Sequence, residues 1–341
     1  MEKLNKRNRT MLDAISGEGS DMGDSRLCRS LEKEMFEKTP IKECLKKLAK
    51  HVTAPNSKWH MEFRGNNSQR NTVDLYCKGL VLRLHFQKQT GRFTARMNEK
   101  LAEKLIQQNI AVEEYINGRP LEDFDKFIAL LPRIEKEYWE YKFNQHEREN
   151  ECDLAKGMNS AKTAFIADIE VTLSKTADYV QAVQASKSNP EGDLLVMVRE
   201  GSQYFLLPVE MKMVDAKKTV LDEAEKEIRT FLNVIYGIDE KKPGFFRDFK
   251  RNYQFVCNQK REIGLLKDAD MEIGILNEKP EIPIGLILIL NGQGKNQTNH
   301  RLTRIPDNKL QLISEAQDQY SIYALKCDIG YFQSCEWAKQ L

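Results

Sequence analysis

The spacing of apolar residues changes period several times along the chain, and each change marks a new element. Residues 14–25 (Ala-Ile-Ser-Gly-Glu-Gly-Ser-Asp-Met-Gly-Asp-Ser) are small, polar and glycine-rich, which reads as a flexible linker after a short basic start. From about Arg26 to Val52 the spacing is helical. Leu27, Leu31 and Met35 share one face, and Pro40 starts a second helix carrying Ile41, Leu45 and Leu48. From Trp59 to Met97 the period drops to two. Trp59, Met61 and Phe63 alternate, as do Leu80, Leu82, Leu84 and Phe86, with turn positions at Gly79 and Thr90-Gly91. This predicts an antiparallel meander of three or four strands. An amphipathic helix then runs from Glu99 to Ile110 with Leu101, Leu105 and Ile106 inward.

The second half opens on a highly charged helix, Arg133 to about Ala155, with Tyr138, Trp139 and Tyr141 along it. Strands are predicted from Ala164 to Leu173, Asp193 to Arg199 and Gln203 to Met213. A long helix follows from Thr219 to Tyr236, with Leu221, Ala224, Ile228, Phe231, Leu232 and Ile235 on its apolar side. Ile282 to Leu290 is almost wholly apolar, as expected of a strand buried on both faces, and Ser321 to Cys327 is a further strand candidate. The order implies an α/β fold, α+β overall, with a mixed central sheet covered by helices. The expected organisation is a flexible segment (1–25), a smaller α+β N-terminal domain for recognition or association (26–131) and a larger domain (132–341).

Composition adds bounds. At 341 residues the chain is long enough for two domains, and 40% hydrophobic with 30% charged residues fits a folded chain with a proper core. The net charge of +2 announces no nucleic-acid partner, so such a partner needs a local basic patch. The seven cysteines are widely spaced and include no C-x-x-C pair. The charged start Met1-Glu2-Lys3-Leu4-Asn5-Lys6-Arg7 leads into no apolar region, and the longest apolar run, Ile282 to Leu290, is too short to span a bilayer. These features predict a reduced, cytoplasmic protein that stays off membranes.

The sharpest chemistry lies between Gly192 and Val214. Gly201-Ser202 suits a two-residue type II′ hairpin turn, which pairs Glu200 with Gln203. Counting outward places Asp193 opposite Glu210, with Cβ atoms about 4.5–5.5 Å apart. Period two puts Lys212 on the face of Glu210. A slip of one residue would send Asp193 to the other face. The hairpin's middle is apolar on both faces, so its strands belong in the centre of the sheet. Two carboxylates side by side at a partly buried strand end repel one another and resist desolvation. A divalent cation relieves both, and hard oxygen ligands favour magnesium or manganese. The bland alternative is that Asp193 caps its strand while Glu210 pairs with Lys212 at a solvent edge.

This pattern, Gly192-Asp193-Leu194 followed by Pro208-Val209-Glu210-Met211-Lys212, resembles the PD-(D/E)xK nuclease superfamily, whose fold is called restriction-endonuclease-like. The likeness covers about residues 133–290. It implies that Asp193 and Glu210 are metal ligands, that the Met211 carbonyl adds a third oxygen, and that Lys212 orients the attacking water and balances phosphate charge. Glu170 on the preceding strand matches an additional acid of many members, able to hold a second metal or a bridging water. Glycine replaces the usual proline before the aspartate. The helix from Thr219 lacks the glutamine of several branches and carries Glu223, Glu225 and Lys226 instead. The resemblance implies a magnesium-dependent nuclease, with manganese able to substitute. It is expected to be an endonuclease more than an exonuclease, to act on DNA more than RNA, and to serve restriction or phage defence. A homodimer is one expected assembly. The alternative is a catalytically silent module of the same fold that binds nucleic acid or a protein partner.

Other features carry less. Phe245, Phe246, Arg247, Phe249, Lys250, Arg251, Tyr253 and Phe255 interleave aromatics with positive charge, but the aromatic spacing is helical and reads first as core. Asn291-Gly292-Gln293-Gly294-Lys295-Asn296 lacks phosphate-loop spacing and reads as a loop. His51, His60, His85, His146 and His300 show no metal-ligand spacing. Among them His146, and beside it Glu147, Glu149 and Glu151, lie on the helix before the strands, where a solvated face is the simpler reading.

Overall fold

The computed structural model describes residues 29–64, 71–77, 80–97, 99–112, 115, 118–140, 146–158, 163–173, 190–201, 203–213, 220–239, 242–243, 246–266, 283–290, 305–316 and 320–341. The flexible-segment expectation for residues 1–25 lies outside them. The fold is mixed α+β, built on two main sheets.

The first helical region is shorter than its pattern predicts. α1 covers Lys33–Phe36 and α2 covers Thr39–Val52, with Pro40 in the first turn of α2. Residues 29–32 are not helical, because side chains from elsewhere take their backbone groups. The Arg29 N–H donates to Asn252 Oδ1 (2.9 Å), and Gln259 both accepts from the Leu31 N–H (2.8 Å) and donates to the Leu31 carbonyl (2.7 Å). The expected meander forms from β1 (His60–Arg64), β2 (Thr72–Tyr76), β3 (Leu80–Gln87) and β4 (Arg92–Met97), each antiparallel to the next. α3 (Glu99–Gln107) follows with Leu101 and Leu105 buried.

The charged helix expected from Arg133 to Ala155 is described on either side of residues 141–145, and its first part begins earlier, at Phe124. α4 spans Phe124–Glu140 and α5 spans His146–Met158. α4 runs through Pro132, which costs one backbone hydrogen bond. Its buried stripe, Phe127, Leu131, Ile134 and Tyr138, lies on both sides of the proline and holds the helix together. The border expected between residues 131 and 132 therefore falls inside a helix.

The larger sheet has the order β11–β12–β10–β7–β6–β5. β5 (Ala164–Thr172), β6 (Glu191–Glu200) and β7 (Gln203–Met213) form an antiparallel meander. α6 (Val220–Tyr236) then crosses over to β10 (Ile284–Leu290), which is parallel to β7. A small hairpin, β8 (Gly237–Asp239) with β9 (Lys242–Pro243), leads to α7 (Phe246–Glu262). β12 (Tyr320–Cys327) lies parallel to β10, and β11 (Leu310–Ala316) is antiparallel at the edge. β11 has no clear sequence period because it is bulged between Leu312 and Ser314 and leaves Leu312 43% exposed. α8 (Ile329–Ser334) and a 3-10 turn (Glu336–Gln340) close the chain.

The two faces of this sheet are covered differently. Leu194, Val196, Leu207 and Val209 pack with Leu154 and Met158 of α5 and with Phe332 and Trp337 near the C-terminus. Leu195, Met197 and Leu206 face the other way. They join Phe231 of α6, Phe249 and Tyr253 of α7, and residues from Leu31 through Tyr138 in one continuous core. That core crosses from the first half of the chain into the second. Among the described residues no helix is long and apolar enough to cross a membrane. Cys44, Cys77, Cys152, Cys257, Cys327 and Cys335 are free thiols.

Candidate functional site

The hairpin sets the frame. Gly201 adopts φ +59°, a turn conformation that disfavours residues with a Cβ. Glu200 pairs with Gln203, and the ladder continues to Leu194 opposite Val209. There it stops. One more step in the same register brings Asp193 level with Glu210, as the turn residues predict. At that point β6 leaves β7, and the Asp193 carboxylate replaces the backbone partner. Its Oδ2 accepts the Met211 N–H at 2.6 Å. On the other side β10 stays in step with β7, Ile287 beside Glu210 and Ile289 beside Lys212.

Glu210 is buried, at 4% exposure. Lys212 donates to its Oε1 at 2.6 Å. The structure therefore gathers Asp193, Glu210 and Lys212. Met211, expected to offer a carbonyl, gives its N–H to Asp193 and its side chain to the opposite core.

A fourth member escaped the sequence reading. Glu227 on α6 lies 3.1 Å from the Lys212 ammonium and shares a hydrogen bond with Glu210. The neighbouring residues weighed from sequence do other things. Glu223 and Lys226 are exposed, and Glu225 binds Arg229 (2.8 Å). A helical signal for Glu227 does exist, since it lies three residues after Ala224 and four before Phe231, both buried.

The charges explain one another. Burial, then the Asp193 charge, then the hydrogen bond to Glu227 push the Glu210 carboxyl up to about 10, against the pull of Lys212. Burial also acts to raise Glu227, but the hydrogen bond from Glu210 and the Lys212 charge outweigh it and hold Glu227 below its ordinary value. Of the two carboxyls, Glu210 is therefore the more readily protonated. Burial alone would lower Lys212, yet Glu210, Asp193 and Glu227 together raise it, so it stays an ammonium. Without a bound ion, three acids share one ammonium and one proton.

Glu170 lies on the neighbouring strand, against Tyr76. The pairs Ile169–Leu194 and Val171–Gly192 put it level with Asp193 along the ladder. Its backbone is left-handed (φ +51°), and its Oε2 accepts from the Tyr76 hydroxyl at 3.1 Å.

The remaining candidates disperse. α5 packs on the face opposite the acids, and the solvated face expected for its acids fails at Glu151, which is buried at 3% exposure; the side chains of His146 and Glu147 lie outside those described. His60 is buried against Glu62 (2.6 Å), and His51 and His85 are partly buried. His300 and residues 291–296 lie outside the described residues, as does Phe245. Phe249 and Tyr253 are core, Phe246 stacks on Tyr236 (4.8 Å), and Phe255 is 44% exposed on the same helix as the exposed Arg251.

Comparison with protein-family models and with curated proteins gives no match for this chain. Among the described residues no group of three or more histidine, cysteine, aspartate or glutamate side chains is arranged to hold a metal ion. The donor set at Asp193 and Glu210 is smaller than that. It still fits a hard divalent cation, because such an ion can replace the proton that Glu210 carries and offset the acids that one lysine leaves uncompensated.

Proposed function

We propose that this chain is a divalent-metal-dependent nuclease on a restriction-endonuclease-like sheet. One observation carries the reading: β6 departs from β7 at Asp193, beside a buried Glu210 that already binds Lys212. The order α5–β5–β6–β7–α6–β10, with β10 parallel to β7, supports the same fold reading.

Asp193 and Glu210 would hold the ion, with the Met211 carbonyl as a third oxygen. A bound magnesium or manganese ion supplies Lewis-acid polarisation of a phosphate oxygen and lowers the pKa of a water. Glu210 would have to give up its proton to serve as a ligand. The Asp193–Met211 hydrogen bond holds one carboxylate in place throughout. Lys212, kept charged by its acidic neighbours, would orient the attacking water and balance the phosphate. Glu227 restrains the lysine from the helix side. The substrate is a polynucleotide, DNA before RNA, cut internally in a restriction or phage-defence setting. That choice rests on the resemblance of the hairpin motif.

The test is cleavage of single- and double-stranded DNA and RNA with magnesium or manganese, beside Asp193→Ala and Lys212→Ala. Metal-dependent cleavage that falls about a hundredfold or more in both variants is the expected outcome. Tight nucleic-acid binding without cleavage points instead to the silent module. Because a strictly sequence-specific enzyme can miss its site in a mixture, manganese binding is titrated in parallel. Equal affinity in wild type and Glu210→Ala would remove the site assignment.

A further inference from the structure

The strand beside Asp193 carries an irregularity that the proposed chemistry does not itself require. Glu170 on β5 is left-handed, at φ +51°. That conformation is unfavourable for a residue with a Cβ and persists only where its surroundings enforce it. It also turns the strand over. Ile169 packs in the core under α5, while Val171, which regular alternation would place on the same side, packs in the opposite core. The turnover lies level with Asp193, between the pairs Ile169–Leu194 and Val171–Gly192. This is where β6 separates from β7.

Residues from the first half of the chain grip that position from two sides. The Tyr76 hydroxyl, at the end of β2, donates to Glu170 Oε2 at 3.1 Å. Arg29 donates to the Glu170 carbonyl at 3.1 Å. Tyr76 is itself fixed. It is 1% exposed, and its hydroxyl accepts from Arg64 Nη2 at 3.1 Å. The same Arg64 nitrogen donates to the Ile169 carbonyl at 2.8 Å, and Arg64 pairs with Asp168. Asp168 in turn accepts from Tyr253 of α7 at 2.8 Å. Burial keeps the Tyr76 hydroxyl far above its ordinary pKa, so it remains a donor at all working pH values.

We propose that Tyr76, with Arg29, is a positioning residue for the site: it holds Glu170 in the left-handed turnover of β5 that sets the Asp193 end of β6. The N-terminal sheet is then part of the frame of the metal site, in addition to any part it takes in recognising substrate. This rests on the reading of Asp193 and Glu210 as metal ligands.

The experiment uses the full chain and two variants that each remove one buried hydroxyl. Tyr76→Phe keeps the ring but releases the Glu170 carboxylate. Tyr253→Phe breaks a bond to Asp168 and leaves Glu170 held. Manganese affinity is measured by calorimetric titration, and cleavage as kcat and KM at saturating metal. Melting temperatures control for folding. Tyr76→Phe is expected to weaken manganese binding about tenfold and to lower kcat about tenfold, with KM for nucleic acid within about twofold. Tyr253→Phe is expected to lower the melting temperature by a similar few degrees and to bind manganese as wild type does. Equal manganese affinity in Tyr76→Phe and wild type overturns the proposal. So does an equal loss in both variants, which would mark a general effect of destabilisation. If wild type binds no manganese and cleaves nothing, the metal-site reading falls, and this inference falls with it. Normal wild-type binding with an unaffected Tyr76→Phe removes this inference alone.

Discussion

At the scale of single residues, Glu210 sets the terms. It sits at 4% exposure between Asp193 and Glu227, and its carboxyl is pushed up to about 10. In the unfolded chain a glutamate titrates near 4.3. Between those values the folded state holds a proton that the unfolded state has released. The contribution of this group to stability is therefore complete below about 4.3 and is lost as the pH rises toward 10. Glu210→Gln keeps the shape and removes the titration. Calorimetry of metal-free protein should show its melting temperature unchanged at pH 5 and raised at pH 8, by about 2 °C or more. On the proposed reading, metal-dependent cleavage should be lost in the same variant, an exchange of function for stability. A melting temperature that falls at pH 8 would contradict the protonated state of Glu210. Much of this residue's setting was legible in the sequence. The glycine of the turn and the two-residue period together define which residue faces which across a hairpin. Asp193's capture of the Met211 N–H was not legible, because the end of a ladder leaves no periodic trace.

At the scale of elements, the placement of α6 decides what reaches the site. Ile228 and Leu232 press this helix onto β10 at Gly285, where an added Cβ would lie 2.9 Å from Ile228 Cγ1 and 2.8 Å from Leu232 Cδ1. The close approach brings Glu227 over the end of β7. Gly285→Val should therefore destabilise the protein by about 1–3 kcal/mol in urea unfolding. Gly285→Ala should cost less than valine because it adds a single carbon, though both Leu232 Cδ1 and Ile228 Cγ1 must shift to admit it. A valine variant as stable as wild type would show that the helix is not held by this contact. The helix and the strand were each plain from apolar spacing. Their separation was not, because a glycine inside an apolar run has several explanations until its neighbour is known. The early start of α4, at Phe124 where Arg133 was expected, has a related cause. Pro132 reads as a boundary by local rules, and only the buried stripe on both sides of it keeps α4 continuous.

At the scale of the whole molecule, the two halves share their interior. One core contains Leu31, Trp59 and Phe127 together with Leu195, Phe231 and Tyr253. Buried charges cross the same seam: Glu62 binds Lys260 of α7, and Arg64 binds Asp168 of β5. Breaking such pairs from one side typically costs about 3–5 kcal/mol, so neither half is expected to melt alone. Calorimetry should give a single transition with matching calorimetric and van't Hoff enthalpies. Two resolved transitions would show that the halves are independent. The sequence by itself determined the meander, the hairpin and its register, and the meeting of Asp193, Glu210 and Lys212. Periodicity and turn chemistry act between near neighbours, and that is enough to assign faces and partners within a hairpin. Only the tertiary structure decided that Glu227 joins the acids, that Glu170 turns to Tyr76, and that the first half of the chain braces the strands of the second. Those contacts join residues far apart in the chain, and packing and buried charge create them after the local elements exist.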